Sequence, residues 1–211
     1  MFRLSRSSKP SERNSGAWVH IDLEDEGSIV QAAEKVGRSA GDLHLVLVAT
    51  GILHDGERLQ PEKTWRSLSP SAMDTALRLN ATGPALVAKH FLPLLATKRK
   101  SAFAALSARV GSIEDNHLGG WYSYRASKAA LNMLIKTMSI ELARRNANAL
   151  CVGLHPGTVD TSLSKPFQRG VSEVTLFPPR RSARHMLNVL DQLSPENSGG
   201  VYAWDGSRIP F

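Results

Sequence analysis

The run Leu43-His44-Leu45-Val46-Leu47-Val48-Ala49 decides how this chain is read. It is too short for most helices, and its near-continuous apolar character suits a strand buried on both faces, as in a parallel sheet. Residues 101–106 and 149–154 are similar strand candidates, and residues 17–22 and 201–204 read as shorter ones. Helical spacing fills the intervals. Ile29, Val30, Ala32, Ala33 and Val36 recur every three or four residues after the acidic Glu24 to Glu26, with Gly37 as the expected stop. Residues 71–96 are helical too, with kinks expected at Asn80-Ala81-Thr82-Gly83-Pro84 and near Pro93. A long helix with Ala129, Leu131, Met133, Leu134, Met138, Ile140 and Leu142 on its apolar side ends at Arg144-Arg145-Asn146, and a short one covers 182–193. Residues 157–181, with Pro166, Pro178 and Pro179, lack periodicity and read as a substrate loop or lid. This alternation predicts an α/β fold, a doubly wound, mostly parallel sheet forming a single domain over 1–211.

The bulk properties agree with that reading. With 211 residues, 42% hydrophobic and 21% charged, the chain can bury one substantial core. Its single cysteine, Cys151, excludes an intramolecular disulfide, sits in an apolar run and fits a reducing cytoplasm. No secretory leader and no run of about 20 apolar residues is present, so neither export nor a membrane partner is expected. The net charge of +7 is densest at Arg3, Arg6, Lys9 and Arg13 and at Lys98-Arg99-Lys100. Neither cluster interleaves aromatics, which favours a solvated surface over nucleic-acid binding. The histidines show no metal-ligand spacing, so no metal site is expected.

One pair carries chemistry. Tyr124-Arg125-Ala126-Ser127-Lys128 places a phenol and an ammonium one helical turn apart, where the cation would favour ionisation of the phenol. Other segments fall in an order that makes the pair specific. They are Asn80 in Asn80-Ala81-Thr82-Gly83, Ser112 twelve residues before Tyr124, Val48-Ala49-Thr50-Gly51 after a strand, and Pro156-Gly157-Thr158-Val159-Asp160-Thr161 after another. Gly119-Gly120-Trp121 and the closing Trp204-Asp205-Gly206 add to them.

In these motifs the chain resembles the short-chain dehydrogenases and reductases, and especially the subgroup with the bacterial C-factor and the insect sniffer carbonyl reductase. The resemblance implies a Rossmann-like fold and hydride transfer between a nicotinamide and a small carbonyl or alcohol substrate. It implies Tyr124 as proton donor and acceptor, Lys128 tuning it and holding the nicotinamide ribose, and Ser112 bonding the reacting oxygen, with Ser107 as its alternative. Asn80 would hold a water that links the lysine to solvent. Thr50, Gly51, Pro156, Gly157, Val159 and Thr161 would line the cofactor, and Asp22 and Leu23 would contact adenine, although helix capping explains Asp22 nearly as well. Arg6 favours NADP over NAD, because an arginine there accommodates a 2′-phosphate. Relatives often pair through two long helices, so a homodimer or homotetramer is open.

The glycine-rich turn that such proteins use to approach the pyrophosphate is absent here. Phe2-Arg3-Leu4-Ser5-Arg6 resembles the second strand of the family. The fold is therefore expected to be N-terminally incomplete, its first strand and helix missing, through either a misplaced start or a true truncation. A catalytically inactive relative with a binding or signalling role is the alternative function.

Overall fold

The computed structural model describes residues 1–7, 16–56, 59–172 and 174–211. Lys9, Arg13 and most of the polar stretch before Gly16 lie outside them. Strand β1 (Phe2–Ser5) pairs in parallel with β2 (Ala17–His20). Helix α1 (Glu26–Ala40) opens on Asp25, whose carboxylate accepts from Gly27 N, and buries Ile29, Ala32, Ala33 and Val36. It runs through Gly37, which packs against Leu94, and stops at Gly41, where φ is 63°. A glycine tolerates that left-handed turn without a Cβ penalty.

Strands β3 (Leu45–Val48), β4 (Ser101–Leu106), β5 (Ala149–His155) and β8 (Val201–Ala203) form a parallel sheet, with β9 (Arg208–Ile209) antiparallel on β8. Helices cover both of its faces. On one, α1, α3 (Gly83–Phe91) and α4 (Tyr122–Arg145) bring Val36, Phe91, Leu131 and Ile135 onto Phe103 and Cys151. On the other, Met186, Val189 and Leu190 of α5 (Pro179–Gln192) pack on Ala102, Ala104, Leu150 and Val152. Each such large side chain, fully buried, contributes about 1.5–3 kcal/mol. Cys151 is sealed in this core, where burial pushes its thiol up to about 12. This is the expected doubly wound, Rossmann-like arrangement in a single domain.

The sheet is divided. The β1–β2 pair shares no ladder with the five-stranded sheet, although Val19 and Val48 belong to one core cluster. Both β1 and β3 therefore present an edge without a strand partner among the described residues. This corrects the expectation that residues 43–49 are buried on both faces. Val46 and Val48 pack inward, but Leu45 and Leu47 are 40% and 38% exposed, because α5 covers that face over β4 and β5 and leaves it open at β3.

Between α2 (Pro70–Leu77) and α3 the chain makes a π-helical turn, Arg78–Thr82, at the expected kink. Such wide turns cluster at functional sites. This one contains Asn80, which has no exposed surface. The expected lid has more structure than its composition suggests: β6 (Thr158–Val159) pairs in parallel with β7 (Leu176–Phe177), and Lys165–Phe167 forms a 3₁₀ turn. The lid also ends earlier, since α5 begins at Pro179, a first-turn position that suits proline.

Candidate active site

In an open parallel sheet the loops after the strands leave a crevice at their carboxyl ends. Here a cavity of about 690 Å³ opens beyond β3, β4 and β5. Its walls come from Thr50 and Gly51 after β3, Ser107 to Val110 after β4, Pro156 and Gly157 after β5, and Tyr124 and Lys128 on α4. The 157–181 segment adds Val159, Thr161, Leu163 and Phe167 to its lining.

Tyr124 and Lys128 share this cavity, with the Lys128 Nζ 5.7 Å from the centre of the Tyr124 ring. Lys128 donates to Leu106 O at 2.7 Å, which draws its ammonium under the end of β4. The Tyr124 hydroxyl makes no hydrogen bond among the described residues. The neighbouring cation does not dominate the phenol as expected: burial pushes Tyr124 up to about 12 and pulls Lys128 down to about 8. Desolvation penalises the charged form of each, so burial favours a neutral phenol.

The two shifts give stability a pH signature. Above about pH 8 the folded Lys128 releases its proton while the unfolded lysine keeps one, so the unfolded state binds more protons and stability rises with pH. Above about pH 10 the unfolded tyrosine ionises first and the slope reverses. Urea unfolding should therefore show a gain of about 2 kcal/mol between pH 7.5 and 10. Lys128→Met should abolish that gain, and an equal rise in the variant would refute the assignment.

Asn80 is close by but does not line the cavity. Its Oδ1 accepts from Ile52 N at 2.8 Å, and its Nδ2 donates to Ile52 O at 2.8 Å and to Ser127 Oγ at 3.0 Å. Both amide protons are thus committed to protein. The side chain thereby clamps the turn after β3 onto α4. Gly51 lies under this clamp, where an added Cβ would sit 3.2 Å from Asn80 Oδ1 and 3.4 Å from Lys128 Nζ.

Ser112 is displaced from its expected role. It is buried outside the cavity, and its Oγ accepts from Asp115 N at 3.0 Å, because a 3₁₀ turn at Arg109–Gly111 carries it past the cavity wall. The alternative, Ser107, does line the cavity, but its hydroxyl donates to Asn132 Oδ1 at 2.6 Å. That same 3₁₀ turn is packed tightly on α4: a Cβ at Gly111 would lie 2.7 Å from Lys128 Cβ and 2.9 Å from its carbonyl carbon. Gly111→Ala is expected to cost about 1–3 kcal/mol, read as a lower urea midpoint, because backbone on both sides must shift. An unchanged midpoint would show that the turn yields freely.

Pro156, Gly157, Val159 and Thr161 are brought to the cavity as expected, with Gly157 at φ 76° against Phe177 and Trp204. The adenine candidates are elsewhere. Arg6 pairs loosely with Glu24 at 3.8 Å on the surface. Asp22 accepts from Glu24 N in a local turn, and Leu23 packs beside Gly83 in the core. None of the three lines the cavity. The residues present fit the nicotinamide and ribose end of a dinucleotide, where Gly51 leaves room beside Lys128, and no pyrophosphate cradle occurs among the described residues.

His155 escaped the sequence reading, which weighed the histidines only as metal ligands. It lines the cavity, and its Nδ1 is buried without a partner. Burial, with the Arg109 charge adding to it and Asp205 opposing, lowers its pKa to about 4, so the ring is neutral at neutral pH. Its place directly before Pro156-Gly157 at the end of a buried strand was the available signal. No group of three or more metal-ligating side chains occurs among the described residues, and no described helix is long and apolar enough to cross a membrane.

Comparison with known proteins places the fold and site in context. A family profile for short chain dehydrogenases matches residues 7–171. An uncharacterized oxidoreductase of Schizosaccharomyces pombe is 30% identical in an alignment 205 positions long that covers 92% of this chain and 77% of the yeast protein. The C-signal protein of Myxococcus xanthus is 39% identical over 139 residues, 66% of this chain and 78% of its own length. Among solved structures, the NADPH-bound carbonyl reductase from chicken fatty liver superposes with a TM-score of 0.84 at 28% identity, covering 100% of this chain and 87% of the chicken chain. By its sequence and its Rossmann-like fold, the chain is an enzyme of the short-chain dehydrogenase family.

Proposed function

We propose that the protein is an NADP-dependent oxidoreductase that interconverts a small carbonyl compound and its alcohol, with Tyr124 as proton donor and acceptor. The observation that carries this reading is the convergence of Tyr124 and Lys128 on a cavity at the carboxyl ends of three parallel strands. NADPH, when bound, supplies the hydride that reduces the carbonyl carbon. The oxygen then gains the electron pair of the broken π bond and takes the Tyr124 proton. That transfer runs downhill even from a phenol raised to about 12, because an alkoxide is a stronger base than a phenolate. Lys128, charged below about pH 8, stabilises the phenolate that remains. Asn80 holds the turn that carries Gly51, and Pro156 and Gly157 line the cavity at the end of β5. The preference for NADP draws support from the NADPH-bound state of the chicken carbonyl reductase.

The test is quenching of tryptophan emission on titration with NADPH, followed by reduction of an uncharged aldehyde such as 4-nitrobenzaldehyde. Saturable quenching with turnover is expected. A folded circular dichroism spectrum without any saturable change would overturn cofactor use. The inactive alternative is favoured by the lack of a pyrophosphate cradle among the described residues, and it predicts that second result.

A further inference from the structure

Helix α4 begins without a side-chain cap of its own. Gly119, Gly120 and Trp121 precede it at φ of 64°, 68° and 54°, three left-handed residues in succession, and Trp121 lacks the freedom of glycine there. The first N–H groups of a helix have no intrahelical acceptor. Here one is answered from about sixty residues away. Glu62 Oε2 accepts from Ser123 N at 3.1 Å, Glu62 Oε1 accepts from the Ser123 hydroxyl, and the Glu62 carbonyl accepts from Trp121 N. Arg125 braces the other side, donating to the carbonyls of Gly119, Gly120 and Val110 at 3.1, 3.0 and 3.2 Å.

Glu62 is only 5% exposed, and no described cation pairs with it. A buried carboxylate without a counter-charge is costly. The positive end of the long α4 dipole and two charge-assisted hydrogen bonds offset that cost. Through this cap Glu62 fixes the backbone of Trp121, whose ring stands edge-on to Tyr124 at 6.3 Å and to Phe167 of the lid at 5.1 Å. All three rings line the same cavity.

We propose that Glu62 is a positioning residue for the site: by capping α4 at Ser123 and anchoring Trp121, it sets the angle at which Tyr124 and Phe167 face the cavity. This inference rests on the reading of Tyr124 as proton donor, so its test has a second arm that needs no turnover. The chain has three tyrosines, Tyr122, Tyr124 and Tyr202. Protein labelled with 3-fluorotyrosine gives a fluorine resonance for each, and Tyr124→Phe identifies that of Tyr124. In Glu62→Ala the Tyr124 resonance should shift or broaden while that of Tyr202 stays in place. With NADPH and 4-nitrobenzaldehyde, kcat should fall about 100-fold, since an ångström of misplacement costs about that much, with little change in KM for NADPH. Glu62→Gln keeps an oxygen for Ser123 N and should restore most of the activity and the resonance.

A Tyr124 resonance unmoved in Glu62→Ala, or a kcat within twofold of wild type, would overturn the proposal. If the wild type binds NADPH but reduces nothing, the proposed reaction fails, and the fluorine spectrum still decides whether Glu62 positions Tyr124. Should Glu62→Ala not fold, Ser123→Ala removes only the hydroxyl arm of the cap. It should lower kcat several-fold and move the same resonance, and no change in either would equally overturn the proposal.

Discussion

Tyr124→Phe is expected to lower carbonyl reduction by about 1000-fold, within the range attributable to a single general acid. The same change should leave the fold intact, because the Tyr124 hydroxyl makes no hydrogen bond among the described residues and its removal strands no partner. The ring stays behind to pack on Trp121 and to lie beside Lys128. Steady-state rates with NADPH and 4-nitrobenzaldehyde, set beside urea midpoints, check both halves. A variant that keeps more than a tenth of wild-type activity would remove Tyr124 from the reaction. One that loses activity through unfolding would show the phenol to be structural. The two outcomes separate cleanly because this side chain touches the cavity and carries little of the core.

Much of the scaffold was legible because its signals are local. The apolar runs of β4 and β5, the helical spacing of α4 and the break near Asn80 each follow from a few neighbouring residues and were found where they were read, except that Met133 and Ile140 of α4 face outward and are exposed. Errors arose where a distant element decides the outcome. Leu45 and Leu47 read as buried because their pattern suits a covered strand, yet coverage depends on a helix elsewhere in the chain. Gly37 read as a helix stop because glycine is a poor helix former, yet its lack of a side chain is used for packing on Leu94.

The site divides in the same way. Tyr124, Lys128, Thr50, Gly51, Pro156 and Gly157 follow directly from strand ends and from one helical turn, and they meet in one cavity. Ser112 was misplaced because sequence separation ignores the 3₁₀ turn that takes it out of the wall. The effect of Lys128 on the phenol was misjudged because spacing carries no information about burial, which here outweighs the pair's attraction. Glu62 was invisible, since nothing around it in sequence announces that it caps a helix beginning sixty residues later.

Asn80 allows a sharper test of how the site is held together. Its amide matches a donor and an acceptor on the same residue, Ile52, and spends its second proton on Ser127. Asn80→Ala leaves the partly buried N–H and C=O of Ile52 without their partners, so a loss of about 2–4 kcal/mol is expected. Asn80→Asp is nearly isosteric, yet it should be at least as damaging. One carboxylate oxygen still accepts from Ile52 N, but the other is set against Ile52 O, acceptor to acceptor, in a place with no exposed surface for an ion. Protonation of the carboxyl relieves that conflict, so the Asp variant should regain stability as pH falls through its elevated pKa, whereas the Ala variant should not. Urea unfolding at pH 5 and pH 8 reads the difference directly, and parallel pH profiles for the two variants would mean that the turn after β3 simply moves away. Where the clamp fails, Gly51 is released from beside Lys128 Nζ, and NADPH affinity should weaken together with stability.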